Sequence, residues 1–299
     1  MLALIAGQGG LPPHLARVLM ARGEVPVLCE LEQFPSEVTG DLPRIGFRLE
    51  TLGTFLKQLH AQGVTRVCLA GAMRRVPVDP GLIDAATAPL VPRLSAALAK
   101  GDDGALRDII ALFEERGLAV IGAAEIAPDL LPPAGVMCGT PGVGVAEDIA
   151  TARAALERMG RADLGQAVLV RAGRVLATED DRGTDAMLVD MAPRTPDRGG
   201  TDLWDMVEDA ATAALDWLSG PAQPEPPDYP AEGAILYKGP KPGQELRADM
   251  PVIGPATAMK AAEAGLAGIV IETGGVMLLD TPAVQQVLDG HDMFLWVHP

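Results

Sequence analysis

Short apolar runs alternate with helical patterns through the first 125 or so residues, and this constrains the fold more than any other feature of the chain. Leu2–Ala6 is too short for a helix, apolar throughout, and closed by Gly7, so it reads as a buried strand. Comparable runs follow at Val25–Glu30, Val64–Ala70 and Ala119–Ala123. Between them, apolar residues fall at helical spacing over Pro12–Arg22, Leu49–Gln62, much of Leu82–Lys100, and Ala105–Arg116. A strand that is apolar on both faces needs cover on both faces. The expectation is therefore a parallel sheet with helices on either side.

The alternation breaks where Pro132, Pro133, Gly135, Gly139, Pro141, Gly142 and Gly144 crowd a short span. This composition predicts a domain boundary, placed between 132 and 133. Beyond it the spacing predicts a helix over Ala146–Met159 and a hairpin of Gln166–Ala172 with Arg174–Glu179, turning at Gly173. An amphipathic helix over Leu203–Leu218 and a proline-rich stretch over Gly220–Gly233 come next. The chain then ends in strand Ala234–Tyr237, helix Ala256–Ala264, strands Ala267–Glu272 and Val276–Leu279, helix Ala283–Leu288 and strand Met293–Val297. The fold class expected is α/β, with a parallel-sheet domain over 1–132 and a separate mixed α/β domain over 133–299.

Composition narrows the function. With 40 acidic against 24 basic residues, a net charge of −16 and no basic run, the surface repels nucleic acid. Cys29, Cys68 and Cys138 are scattered and odd in number, which fits a reducing compartment better than a disulfide framework. The first residues carry no cationic leader, and no apolar stretch approaches the roughly 20 residues of a membrane span. A cytoplasmic protein, touching a membrane peripherally at most, is expected.

Four segments carry groups suited to chemistry. Gly7-Gln8-Gly9-Gly10-Leu11-Pro12 is a glycine turn between strand and helix, where backbone N–H groups can hold a phosphate. It resembles a dinucleotide fingerprint, and Glu30 ends the second strand where a ribose-binding acid would sit. Pro12, however, occupies the position where that fingerprint needs Gly or Ala. Gly101-Asp102-Asp103 reads as an N-cap for Ala105–Arg116. Glu179, Asp180, Asp181 and Asp185 flank Gly183-Thr184, and hard cations such as Mg²⁺ take carboxylate oxygens together with phosphate. In Lys238–Gly254, the cations Lys238, Lys241 and Arg247 stand near the carboxylate Asp249. Such a set can neutralise phosphate charge while an acid holds a metal or positions water. No Gly-x-x-x-x-Gly-Lys-[Ser/Thr] loop, His metal pair or Gly-x-Ser-x-Gly is present.

These residues, in this order, resemble the LpxI family of UDP-2,3-diacylglucosamine pyrophosphatases. The resemblance is carried by Leu4-Ile5-Ala6-Gly7-x-Gly9-x-Leu11-Pro12, Leu69-Ala70-Gly71, Lys100-Gly101-Asp102-Asp103 and Asp163-Leu164-Gly165-Gln166. It continues through Gly183-Thr184-Asp185-Ala186-Met187-Leu188, Lys241-Pro242-x-Gln244-x-x-Arg247-x-Asp249-x-Pro251-x-Ile253-Gly254 and Ala264-Gly265-Leu266-Ala267-Gly268-Ile269-Val270. It implies Mg²⁺-dependent hydrolysis of UDP-2,3-diacylglucosamine to UMP and 2,3-diacylglucosamine 1-phosphate (lipid X), a step of lipid A synthesis. It also implies a Rossmann-like N-terminal domain, a homodimer, and a peripheral place at the inner-membrane surface. The family's essential carboxylate matches Asp249, and Asp185 falls in another signature block. Gln8 and Arg182 depart from the family, which usually has Gly and Glu there, and 189–233 is longer than usual.

On that resemblance Asp249 and Asp185 are expected to hold Mg²⁺, with Asp249, Lys241 and Arg247 catalytic. Gly7, Gly9, Gly10, Lys238, Gln244 and Thr184 are expected to bind substrate. Two rivals stay open: a nicotinamide-dependent oxidoreductase using the glycine turn, and a non-catalytic nucleotide-sugar or lipid-binding protein. An apolar face for the acyl chains is expected from Leu203–Leu218 or from the C-terminal domain.

Overall fold

Strand β1, Leu2–Ala6, is buried at every residue and hydrogen-bonded in parallel on both sides. In the computed structural model, which describes residues 1–73, 76–99, 102–162, 164–193 and 230–299, it is the centre of a five-stranded parallel sheet. The other strands are β2 (Val27–Leu31), β3 (Arg44–Phe47), β4 (Arg66–Ala70) and β5 (Ala119–Val120), in the order β3-β2-β1-β4-β5. This is the doubly wound order, and the strand sequence reverses direction across the sheet at β1 and β4. Helices α1 (Leu11–Ala21) and α5 (Ala123–Ile126) cover one face, with Leu4, Leu15, Leu28 and Cys68 at its core. The opposite face carries α2 (Leu52–Ala61), α3 (Val91–Leu98) and α4 (Asp102–Glu114), closed around Ile5, Phe55 and Phe113. Each fully buried Leu, Ile or Phe contributes about 1.5–3 kcal/mol, so these cores outweigh the weak propensity of any single short strand.

Two elements here depart from the expectations. The edge strand β3 was not expected; it is four residues long, interrupted by Gly46 and buried only at Ile45 and Phe47. Phe47 stacks on Phe55 of α2 at 4.1 Å between ring centroids, which holds the edge down. Helix α4 begins at Asp102 rather than near Ala105, so Asp103 lies inside the first turn and is no N-cap for a later start.

After a connection through β6 (Gly135–Cys138), the second sheet is mixed and six-stranded. With β6 at one edge, its other members are β7 (Ala167–Arg171), β8 (Arg174–Thr178), β9 (Ile235–Lys238), β11 (Gly268–Glu272) and β13 (Phe294–His298), in the order β6-β13-β11-β9-β7-β8. Strands β9, β11 and β13 are parallel, and the β7–β8 hairpin turns on Ala172 and Gly173, both at positive φ. Helix α6 (Val145–Arg161) packs on one face around Tyr237 and Val270. Helices α7 (Thr184–Asp190), α8 (Pro255–Glu263) and α9 (Thr281–Asp289) pack on the other. The acidic stretch around Gly183-Thr184 thus runs into a helix, because Met187 and Leu188 bury against the sheet. The expected helix over Leu203–Leu218, and most of Gly220–Gly233, lie outside the described residues.

A two-stranded parallel ladder, β10 (Val252–Ile253) with β12 (Met277–Leu278), belongs in sequence to the second half but packs onto the first. Met277 joins the core around Leu4 and Leu15, and Met250, Val252 and Leu279 pack against it. The β10–β12 ladder, with Met250 and Leu279, therefore forms a shared hydrophobic floor between the two sheets.

Candidate active site

The floor closes the bottom of a cleft of about 570 Å³ whose walls come from both sheets. One wall is the reversal point of the parallel sheet, where the turns after β1 and β4 meet. Gly7 N–H donates to the Ala70 carbonyl at 2.8 Å, and Gln8 and Ala72 exchange two backbone bonds at 2.9 Å. A Cβ on Gly7 would lie 2.4 Å from the Ala72 oxygen, so only glycine permits the approach. Gly71, at φ +88°, is equally confined. Gly7 is thus a packing residue whose amide is spent within the sheet, and the structure does not place it in the cleft. Gln8, Gly9 and Gly10 do line it, at the N-terminus of α1. A Cβ on Gly10 would come 2.8 Å from Leu279 of the shared floor.

The same wall bears on the oxidoreductase reading. Glu30 accepts the Ser36 N–H at 2.9 Å and hydroxyl at 2.7 Å, and pairs with Arg44 at 2.7 Å. Burial pushes its pKa up, but these bonds outweigh burial and hold it below the usual carboxylate range. The acid expected to bind a ribose is therefore consumed by its own loop. Pro12 packs against Gly71, where the fingerprint would have a small residue.

The facing wall grows from β9, where the parallel strands of the second sheet meet its antiparallel hairpin. Lys238 ends this strand and is buried, and its Nζ donates to Thr184 Oγ1 at 2.8 Å. Thr184, the first residue of α7, passes the bond on to Glu179 Oε1 at 2.8 Å. The other Glu179 oxygen accepts the Gln166 N–H at 2.6 Å. Burial pushes the Lys238 pKa down, against the pull of Glu179, Asp185 and Asp249. Two residues expected to bind substrate separately, Thr184 and Lys238, form one chain that aims a cation at the cleft. Glu179, the anchor of that chain, was expected only as one of several acids.

Asp249 lies on the cleft wall, just before the floor. Its Oδ2 accepts the side-chain amides of Gln244 at 2.7 Å and Gln166 at 3.3 Å, and Gln244 also reaches the Asp249 carbonyl at 2.6 Å. Gln244 Oε1 is fixed in turn by the Lys241 N–H at 2.8 Å. The carboxylate is held by two neutral amides from different segments, which orient it without neutralising it. Gln244, expected to touch substrate, positions the acid instead. Gln166 shares that task, and only its place beside a glycine in a short motif hinted at it.

Arg247 lines the cleft too, but its guanidinium is engaged by Glu245 at 2.9 Å through both Nε and Nη2, and by Glu114 of α4 at 2.6 Å. These two carboxylates already balance its charge. The sequence singled it out as a catalytic cation; the structure makes it a bridge from the second domain to the first. Asp103 does the same from the other side, accepting the Glu245 N–H at 2.9 Å while pairing with Arg107, whose guanidinium reaches the Gly243 carbonyl. Lys241 lines the cleft mouth beside these contacts.

Among the described residues, no group of three or more His, Cys, Asp or Glu side chains gathers as a metal cage. Asp185 is not on the cleft wall; it accepts from Thr257 at 3.1 Å and pairs with Lys260 at 2.5 Å. Of the other acids on the wall, Asp180 is neutralised by Arg182, and Glu179 serves Thr184 and Gln166. What remains is Asp249, with Asp181 on the same wall. This is a poor set for an ion held by protein alone. It suits Mg²⁺, which keeps several waters and is usually held by one or two carboxylates plus substrate phosphates.

Comparison with known proteins gives the family of the chain that builds this cleft. The family model of the LpxI N-terminal domain matches residues 1–130, and that of the LpxI C-terminal domain matches 133–296. The UDP-2,3-diacylglucosamine pyrophosphatase LpxI of Caulobacter vibrioides is 34% identical over 295 residues, covering 98% of this chain and 96% of that protein. With both halves matched and the relative aligned nearly end to end, this chain belongs to the LpxI family.

Proposed function

We propose that this protein hydrolyses the diphosphate of UDP-2,3-diacylglucosamine, releasing UMP and 2,3-diacylglucosamine 1-phosphate for lipid A synthesis. Asp249 carries the reading: it is a carboxylate fixed by Gln244 and Gln166, on the wall of the cleft whose other side is the Gly9–Gly10 turn. The reaction adds a water oxygen to one phosphorus and breaks the bridging P–O bond, leaving a phosphate on each fragment.

Each residue has a task that follows from its place. Gly9 and Gly10, at the N-terminus of α1, offer positive backbone dipoles to phosphate oxygens. Lys238, anchored through Thr184 to Glu179, sets a positive charge in a poorly solvated wall, where it acts more strongly on a diphosphate than a surface lysine would. Lys241 adds charge at the mouth. Asp249 orients the attacking water or holds Mg²⁺ bound with the substrate, with Asp181 within the same wall. When bound, Mg²⁺ neutralises charge on the non-bridging oxygens. Arg247 and Asp103 hold the two walls at working distance rather than touching phosphate.

The test is release of UMP from UDP-2,3-diacylglucosamine, with and without Mg²⁺, by the wild-type protein and Asp249→Asn. The isosteric change keeps both amide contacts sterically possible, so the fold should persist while turnover falls by about 10²–10⁴-fold. Turnover within a few-fold of wild type would remove Asp249 from the mechanism. Undiminished rates in excess chelator would remove the metal.

A further inference from the structure

Asp185 stands off the cleft wall, yet its side chain joins the two segments that supply the cleft's charges. One segment is α7, whose first residue, Thr184, is the direct hydrogen-bond partner of Lys238. The other runs from Asp249 through β10 into α8. Asp185 Oδ1 accepts the Thr257 hydroxyl at 3.1 Å and Oδ2 accepts from Lys260 Nζ, and both donors belong to α8. Thr257 is buried. The ion pair is partly exposed, and pairs of that kind add little to stability. Helix α7 needs a hold from outside. It has seven residues, short of the roughly 12 at which a helix persists alone, and its N-cap, Gly183, has no side chain to offer the first turn. Met187 and Leu188 bury its later residues against the second sheet. Asp185 ties down the turn that carries Thr184.

We propose that Asp185 is a positioning residue for the reaction: by locking α7 to α8 it fixes the spacing between the Lys238 cation and the Asp249 carboxylate. The inference rests on the function proposed above and deepens it, giving the carboxylate expected to hold Mg²⁺ a different task. Gln166 already joins the same two segments within the cleft. Its N–H is bonded to Glu179, the far end of the Lys238 chain, and its side chain to Asp249. One tie leaves a pivot; a second, made away from the first, removes it. The spacing matters because a diphosphate must meet the cation and the water-orienting acid together, and a misplacement of about 1 Å in such a site costs about 10²-fold in rate. The Asp185 charge also favours the charged form of Lys238, as do Glu179 and Asp249, against the effect of burial.

Asp185→Ala cuts both contacts, whereas Asp185→Asn keeps an acceptor for Thr257 and gives up the ion pair. For release of UMP from UDP-2,3-diacylglucosamine, kcat should fall about 10- to 100-fold in the Ala variant. It should recover to within about fivefold of wild type in the Asn variant. In a Lys238→Met background, Asp185→Ala should cost less than about threefold more, because the group it positions is gone. A second readout needs no turnover. The chain has five lysines, Lys57, Lys100, Lys238, Lys241 and Lys260, so ¹³C-lysine labelling gives five Cε signals, with Lys238 identified by its loss in Lys238→Met. The two Hε protons of a fixed lysine are inequivalent, and those of a freely rotating one average together. The Lys238 pair should be split in wild type and Asp185→Asn, and merged in Asp185→Ala. A pair still split in Asp185→Ala, or an equal fold loss of kcat with and without Lys238, overturns the proposal. Should Asp185→Ala not fold, Thr257→Val, which removes the same tie from α8, decides by the same readouts. A pair that merges in Asp185→Ala, in a protein whose wild type releases no UMP, overturns the hydrolase reading and leaves Asp185 holding Lys238 in place.

Discussion

Lys238 shows how a single position joins stability to function here. Burying an ammonium costs several kcal/mol unless it is paired and hydrogen-bonded, and Lys238 has a hydroxyl for a direct partner, with its nearest carboxylates acting from beyond it. Such an arrangement makes sense where an anionic ligand completes the charge balance. The sequence exposed the lysine as one of three cations near an acid; that Arg247 is already balanced while Lys238 is not depends on neighbours up to 133 residues away for Arg247 and 54 for Lys238, which spacing along the chain does not encode. Glu30 is the opposite case, an acid whose bonds are all local. Its folded pKa lies below its ordinary value of 4.5, because the Ser36 bonds and Arg44 outweigh burial. Its contribution is therefore complete above about pH 4.5 and disappears as pH falls through the lower folded value. Glu30→Gln should cost up to about 1 kcal/mol at pH 7, and the gap from wild type should narrow by pH 3.5. Urea denaturation at the two pH values measures it, and an equal gap at both would show that the ionised bonds do not matter.

Among the elements, those with strong periodicity were legible and those created by contact were not. Strand β1 matches its expected span, and α6 and the β7–β8 hairpin differ from theirs by a residue or two, since each carries its own pattern of apolar spacing or turn chemistry. Strand β3 and helix α7 escaped because each buries only two apolar side chains, and their stability comes from Phe55 in one case and from the second sheet in the other. The glycine turns belong to this scale as well. The sequence marks Gly7–Gly10 as a turn, but which amides face a ligand is set by the pairing of this turn with Gly71–Ala72. Gly71→Ala is expected to be severe, since φ is +88° and its Cβ would lie 2.7 Å from the Gln8 oxygen. A loss of about 2–3 kcal/mol follows from the strain and the forced opening of the two-turn junction. Calorimetry would read it as a depressed melting temperature, whereas a midpoint within 1–2 °C of wild type, taking roughly 2–4 °C per kcal/mol, would mean the junction is not tight.

For the whole molecule the decisive feature is that neither half is complete alone. Met277 fills the core of the first sheet, Asp103 and Glu114 of α4 hold the 243–247 segment of the second domain, and the cleft exists only between them. Asp103→Ala removes the acceptor for both the Glu245 amide and Arg107. The expected result is a loss of about 1 kcal/mol, seen as a fall of about 2–4 °C in melting temperature, with KM for UDP-2,3-diacylglucosamine raised several-fold as the walls loosen. Steady-state kinetics beside calorimetry would separate this from plain destabilisation. Wild-type KM in a measurably destabilised variant would show that these contacts support the fold without setting the cleft.

Apolar spacing and glycine placement along the chain were enough to specify parallel strands with helices on both faces and the glycine turn that follows the first of them. Those properties are local: a strand buried on both faces or a turn at positive φ is written in consecutive residues. Which charges stay available could not be written there. Glu30, Arg247 and Asp185 read as ligands in one dimension, yet each is claimed by a partner, while Gln166 and Gln244 became the setting for Asp249. Electrostatic availability depends on distance in space and on burial, both of which arise only when the two sheets close on one another.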